Sequence, residues 1–193
     1  MGPGIRGNVP DFMLLAECGR FHPMEIYTIG FEDQLRVLRQ TSEPIADIDG
    51  SVAAMAEEMV KTMIIGNGIG LAAPQVGRLQ RLFTVKVGDN DPVVFINPEI
   101  TATSPELSSY EEGCLSIPGQ YADVERPASI QIQAWNTRGR PFTMEATGLW
   151  ATVIQHELDH LDGVLFLDHL TERKRNKILG KFDVDSDSYP EAG

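Results

Sequence analysis

Gln155-His156-Glu157-Leu158-Asp159-His160 places two histidines four residues apart with a glutamate directly after the first. On a helix, that spacing puts both imidazoles on one face, roughly 40° apart around the axis and about 6 Å apart along it. Two such rings can converge on one ion, with Glu157 beside them as a carboxylate base for the water that the ion activates. The flanks predict a helix: Leu149, Val153, Leu158 and Leu161 form an apolar stripe, and Gly163 is a stop signal just beyond it. Taken alone, the spacing fits a solvent-facing helix equally well, so the third ligand decides the reading.

Catalytic metal sites normally take three protein ligands and keep one position open. One metalloprotease pattern places a third His three residues past Gly163, but Phe166 stands there. Glu172 follows the motif closely and Glu191 sits in a polar tail, so neither makes a convincing downstream ligand. His22 falls in an irregular amino-terminal region, and His169, in an apolar run, reads as a packed or surface histidine. Cys114, in Glu111-Glu112-Gly113-Cys114-Leu115-Ser116-Ile117-Pro118, is the better candidate. Gly113 would let the backbone come close, and Pro118 limits continuation as regular structure. The chain has only two cysteines, Cys18 and Cys114, so a disulfide framework is not indicated. A lone Cys is ordinarily a small buried hydrophobe. Beside two imidazoles, a thiolate completes a Cys-His-His set suited to zinc or ferrous iron.

A third block, Gly66-Asn67-Gly68-Ile69-Gly70-Leu71-Ala72-Ala73-Pro74-Gln75, follows an amphipathic helix predicted over Ser51–Ile65, with Val52, Met55, Met59 and Met63 at helical spacing. A helix cap and loop is the plain account. A phosphate loop is a poor alternative, because no Lys-Ser/Thr follows the glycines and no strand precedes them. The functional account is a backbone that approaches a ligand closely, ending in a Gln amide able to donate a hydrogen bond.

In this order, Gly68–Gln75, Glu112–Ser116 and Gln155–His160 resemble the three signature motifs of peptide deformylase. The resemblance spans residues 25–170, including Leu38-Arg39-Gln40 and Ser42-Glu43-Pro44. It implies removal of the formyl group from the N-terminal formyl-methionine of newly made proteins, with release of formate. It implies Cys114, His156 and His160 as ligands of one divalent metal, ferrous iron in most bacterial members, with zinc, nickel or cobalt as substitutes. Glu157 would act as general acid-base. Gln75 and the backbone N–H of Leu115 would meet the oxyanion, and Gly70 would align the substrate backbone. Ile69, Glu112, Leu149, Thr152 and Val153 would line the methionine pocket, with Leu149, Thr152 and Val153 one or two turns before His156. Gln155 and Asp159 are candidates to steady the imidazoles through their free N–H groups. The sequence departs from many members at Tyr121, where a basic residue contacts the substrate.

The remaining features bound the reading. At 193 residues, one domain with a substantial core is expected. A net charge of −12 argues against affinity for DNA or another phosphate backbone. No apolar run reaches the length of a spanning helix, and the amino terminus lacks signal or transit layout, so the cytosol is the default, and the resemblance implies a bacterial one. Strands are predicted at Arg81–Val87, Pro92–Ile96, Ser129–Trp135 and Phe142–Ala146, with a hairpin turn at Asn136-Thr137-Arg138-Gly139. The fold class is therefore α+β, with mixed or antiparallel sheets around a central helix carrying the histidine motif. Residues 1–24 read as a poorly ordered extension or expression remnant, 25–170 as the catalytic domain, and 171–193 as a basic helix with an acidic tail. Arg173, Lys174, Arg175 and Lys177 make either a solvated face or a ribosome contact, the latter implied by the resemblance. Two other classes compete with the deformylase: a metalloprotease sharing the histidine motif, and a structural zinc domain, which would need neither Glu157 nor Gln75.

Overall fold

The computed structural model describes residues 22–184 and Tyr189. Among them it is an α+β protein with four helices and two antiparallel sheets. Helix α1 (Glu32–Leu38) and helix α2 (Gly50–Ile65) come first. Asp49 caps α2 by accepting hydrogen bonds from the Ser51 and Val52 N–H groups, which starts the helix one residue before the predicted position. Strands β1 (Gly70–Ala72), β2 (Leu82–Val85) and β3 (Val93–Thr103) follow, then β4 (Leu107–Cys114), β5 (Ile117–Pro127), β6 (Ser129–Trp135) and β7 (Pro141–Thr147). Helix α3 (Gly148–Leu161) and helix α4 (Glu172–Leu179) complete the order. The large sheet runs β1-β2-β3-β6-β7, and β4 and β5 form a separate two-stranded ribbon.

Strand alternation explains how the layers assemble. Leu71, Leu82 and Ile96 point to one face of the sheet and pack with Met59 and Met63 of α2. Ala72, Phe83 and Phe95 point to the other and pack with Ala151 and Ile154 of α3. Phe83 and Phe95 are fully buried and stack at 4.8 Å; burial of each stabilises by about 1.5–3 kcal/mol. A third cluster joins Leu35 and Leu38 of α1, Val124 of β5, Leu165 to Leu167, and Ile178 and Leu179 of α4. The β6–β7 hairpin turns at Asn136, whose Oδ1 accepts from the N–H groups of Arg138 and Arg140.

Several sequence expectations change. The segment read as a cap and loop contains β1, and Ala73–Val76 forms a 3₁₀ turn. Strands β4 and β5 went unpredicted because their charged residues hide the period: Glu111, Asp123 and Glu125 alternate with inward Glu112, Val124 and Arg126, and both charged ranks read as loop. Pro118 does not end regular structure. It is the second residue of β5, at the start of a ribbon strand where a missing N–H is tolerated. β3 extends to Thr103, well past the predicted Ile96, through two register shifts against β6. On α3 the predicted apolar stripe holds at Val153 and Leu161, both buried in the cluster that Leu158 packs against, and fails at Leu149. Leu149 is 40% exposed and Leu158 half-buried, while Ala151 and Ile154 face the sheet. Gly163 ends the helical region at φ +71°, where a Cβ would lie 2.5 Å from the Arg39 carbonyl oxygen. Arg39 in turn donates to Gly163 O at 3.0 Å and grips Asp168 with both guanidinium nitrogens, fixing the turn after α3.

Candidate active site

Helix α3 presents His156 and His160 on one face, with ring centroids 5.0 Å apart in an edge-on arrangement. Cys114 reaches them from the end of β4, where a register shift after Gly113 pairs it with Ile117. Its Sγ lies 3.2 Å from His160 Nε2, and the three donor atoms of Cys114, His156 and His160 all lie within 4.8 Å of one another. One thiolate and two imidazoles converging at that spacing form a donor set that fits a single divalent ion. Phe166, where a third His was sought, stacks near His156 at 6.2 Å. His22, His169 and Glu172 are outside this group. Cys18 and Glu191 are outside the described residues.

Glu112, expected only in the substrate pocket, also holds the first imidazole. Its Oε2 bonds His156 Nδ1 at 2.8 Å, which leaves the ring's Nε2 for a ligand role. Arg126, from β5, donates to both Glu112 oxygens, at 2.6 and 3.1 Å, and to Asp159 Oδ2 at 2.8 Å. His169 reaches the same Asp159 oxygen at 2.7 Å. The expectation for Gln155 and Asp159 as imidazole partners is therefore corrected. Gln155 donates to the Pro127 and Ala151 carbonyls, and Asp159 acts on the site through Arg126. Arg126 was missed. Its one signal is parity with Val124, two residues earlier on an inward strand face.

These contacts set the protonation states. Burial would raise the Glu112 carboxyl, but its hydrogen bonds to His156 and Arg126 outweigh that and hold it at about 2. Burial opposes charge on His156, yet bonds to Cys114 and Glu112 raise it well above the usual histidine value. His160 is lowered by burial and by the nearby charges of His156 and Arg126. Ligand imidazoles must be neutral, so ion binding would displace a proton from His156. Burial pushes Glu157 up to about 7. Its Oε2 is buried with no hydrogen-bond partner among the described residues. A Cβ on Gly70 would lie 2.1 Å from Glu157 Oε1, so only glycine lets the carboxylate come this close to β1.

The Gln75 amide is held from both ends. Its Oε1 accepts from Ala72 N at 2.8 Å, and its Nε2 donates to Ser116 Oγ at 3.2 Å and Cys114 Sγ at 3.4 Å. The amino-terminal strap adds Tyr27 N–H to Gln75 O and Ile29 N–H to Ser116 O, tying two sequence blocks together. A cavity of about 530 Å³ opens over this group. Its walls include Ile69 and Gly70 on one side, Glu112 and Leu115 on another, and Leu149, Thr152, Val153 and Glu157 from α3. Thr152 and Val153 are buried, while Ile69 and Leu149 form a half-open apolar rim. The approach to Gly113 is made by the Tyr121 ring, not by a neighbouring backbone: a Cβ there would meet the ring at 2.5 Å.

Comparison with known proteins adds a family. A model described as polypeptide deformylase matches residues 23–176. A peptide deformylase of Agrobacterium fabrum is 50% identical over 150 residues, 76% of this chain and 88% of the relative. The crystal structure of a peptide deformylase from Synechococcus elongatus in complex with actinonin superposes with a TM-score of 0.80 at 39% identity, over 88% of this chain and 93% of that one. That of the Thermotoga maritima peptide deformylase gives 0.73 at 42% identity, over 78% and 99%. Matched through most of its length by sequence and by structure, the chain belongs to the polypeptide deformylase family.

Proposed function

We propose that this protein hydrolyses the formyl group from the N-terminal formyl-methionine of newly synthesised proteins and releases formate. The observation that carries the reading is the convergence of Cys114, His156 and His160 beside the unpartnered carboxylate of Glu157, inside a cavity with an apolar rim. Cys114, His156 and His160 would hold one divalent metal, ferrous iron by preference, with zinc, nickel or cobalt able to replace it. When bound, the metal supplies Lewis-acid polarisation of the formyl carbonyl and lowers the pKa of water.

The chain's own groups do the rest. Glu157, raised to about 7, takes a proton from the attacking water and delivers it to the leaving amine nitrogen. The Gln75 Nε2–H and the Leu115 N–H stabilise the developing oxyanion; losing one such donor costs about 3–4 kcal/mol. Gly70 aligns the substrate backbone at the edge strand β1. Ile69, Glu112, Leu149, Thr152 and Val153 enclose the methionine side chain, an apolar slot that discriminates by about 1–3 kcal/mol per methylene.

The catalytic domain is residues 25–170, with α3 as its central helix, residues 1–24 as an extension and 171–193 as a carboxyl-terminal appendage. Its place of action is the bacterial cytoplasm; no helix among the described residues is long and apolar enough to cross a membrane. Arg173, Lys174 and Lys177 are exposed on α4 and offer a ribosome contact, whereas Arg175 is half-buried over the Tyr189 ring. Equal ribosome co-sedimentation with and without residues 171–193 would remove that contact. The activity itself is tested by formate release from a formyl-Met tripeptide, with the acetyl analogue beside it, using protein loaded anaerobically with ferrous iron. Release from the formyl peptide alone supports the reading; cleavage of internal bonds, or no release with metal bound, refutes it.

A further inference from the structure

His169 is not one of the three converging donors, yet it touches the site through a chain of contacts. It closes the 3₁₀ turn Phe166–His169, which Asp168 fixes in place. One Asp168 oxygen accepts from Leu165 N at 2.8 Å and from Arg39 Nη1 at 2.5 Å. The turn meets the site at two points. The buried Phe166 ring lies 6.2 Å from that of His156 and 25° from parallel to it. His169 Nε2 lies 2.7 Å from Asp159 Oδ2. That carboxylate oxygen can only accept, and it already accepts from Arg126 Nη1 at 2.8 Å, so the His169 ring hydrogen sits on Nε2. From Arg126 the contacts run inward without a gap. Its Nε and Nη2 hold the two Glu112 oxygens, and Glu112 Oε2 holds His156 Nδ1 at 2.8 Å.

We propose that His169 is a positioning residue for metal binding: it holds Asp159 against Arg126, which keeps the guanidinium square on Glu112 and His156 turned toward the ion. This role rests on the reading of Cys114, His156 and His160 as metal ligands. An exposed histidine–carboxylate pair is by itself worth little. This pair matters because of where its acceptor sits. Side-chain exposure falls along the path, from 35% at His169 and 24% at Asp159 to 5% at Arg126 and 4% at Glu112. Asp159 is the outermost restraint on a buried guanidinium, and it alone among the described residues engages Nη1. Without the His169 donor, Asp159 gains rotamers that face water. Arg126 is then held by one carboxylate instead of two, and the Glu112 grip on His156 loosens. Partners that touch a ligand directly are worth about 10–100-fold in metal affinity; His169 stands three contacts beyond Glu112, so roughly fivefold is expected.

The test is zinc affinity, read by competition with a chromophoric chelator, in the unmodified protein, H169F and H169Q. Phe keeps a ring of similar size and removes both nitrogens. Gln carries its Nε2 donor the same number of bonds from the backbone as the histidine Nε2. H169F should bind zinc roughly fivefold more weakly, and H169Q should return to within about twofold of the unmodified protein. Urea unfolding of the three chelated proteins should coincide. A histidine with a merely structural role would instead lower the urea midpoint of chelated H169F and leave its zinc affinity unchanged, which overturns the proposal. In a D159A background, H169F should have no further effect; a full fivefold loss there would show that His169 acts by another route, and overturns it too. Equal zinc affinity in H169F and the unmodified protein overturns the positioning role alone. An unmodified protein that binds no zinc overturns the metal-site reading and the positioning role with it.

Discussion

Replacing Arg126 by Met would strip Glu112 of its one guanidinium partner among the described residues while leaving the volume at position 126 nearly filled. Arg126 and Glu112 are both about 95% buried, joined by two hydrogen bonds, so removal strands a carboxylate in the interior with His156 as its one remaining partner. Breaking a buried pair in this way costs about 3–5 kcal/mol. The pH dependence gives a second, independent measure. Glu112 stands at about 2 in the folded protein against 4.5 for the free side chain. A depressed carboxyl contributes stability that is present above pH 4.5 and lost as pH falls through about 2, here on the order of 3 kcal/mol. Urea unfolding of the unmodified protein, R126M and E112Q, each with metal and after chelation, would read both quantities. R126M should lose several kcal/mol at neutral pH and bind metal less tightly, because Glu112 no longer orients His156. The double variant E112Q/R126M should lose less than the two single losses added together. If R126M unfolds within 1 kcal/mol of the unmodified protein and keeps its metal affinity, Arg126 does not hold the site in the way the geometry implies.

Three further outcomes are expected. C114S should retain the fold but bind ferrous iron or zinc far more weakly, measured by chelator competition; unchanged affinity would remove Cys114 from the ligand set. E157Q should keep its metal while turnover falls about 10²–10⁴-fold. In the chelated protein, Glu157 at about 7 holds a proton that the unfolded chain releases above 4.5, so its stabilising effect is full below pH 4.5 and lost as pH rises through 7. That fall, about 3 kcal/mol, should disappear in E157Q; identical pH profiles would show that burial does not raise the carboxyl. G70A should displace Glu157, because the new Cβ would lie 2.1 Å from its Oε1, and kcat should drop more than KM rises; unaltered kinetics would show that β1 can yield at no cost.

Much of this site was legible because its signals are local. Four-residue spacing alone puts His156 and His160 on one helix face, and the departure at Phe166 removes one class of third ligand without any structure. The β6–β7 hairpin was likewise readable, from alternation ending at Asn136 and Gly139. The ribbon was not. With Glu111, Asp123 and Glu125 on one face and Glu112 and Arg126 on the other, charge occupies both sides of the pleat, and hydrophobic period 2 vanishes.

Composition, motif order and helical periodicity thus determine from the sequence that the chain is an α+β protein with two histidines on one helix. Only the tertiary structure decides which distant groups meet that helix. Glu112 and Arg126, 14 positions apart in the chain, become a buried pair because β4 and β5 fold back on each other. Gln75 reaches Cys114 and Ser116 across 39 and 41 positions because the strand edge and the ribbon close on the same cavity. Such contacts leave no periodic trace in sequence. They exist because a polar or ionised group taken out of water must find its partner wherever the folded backbone brings one within hydrogen-bond reach.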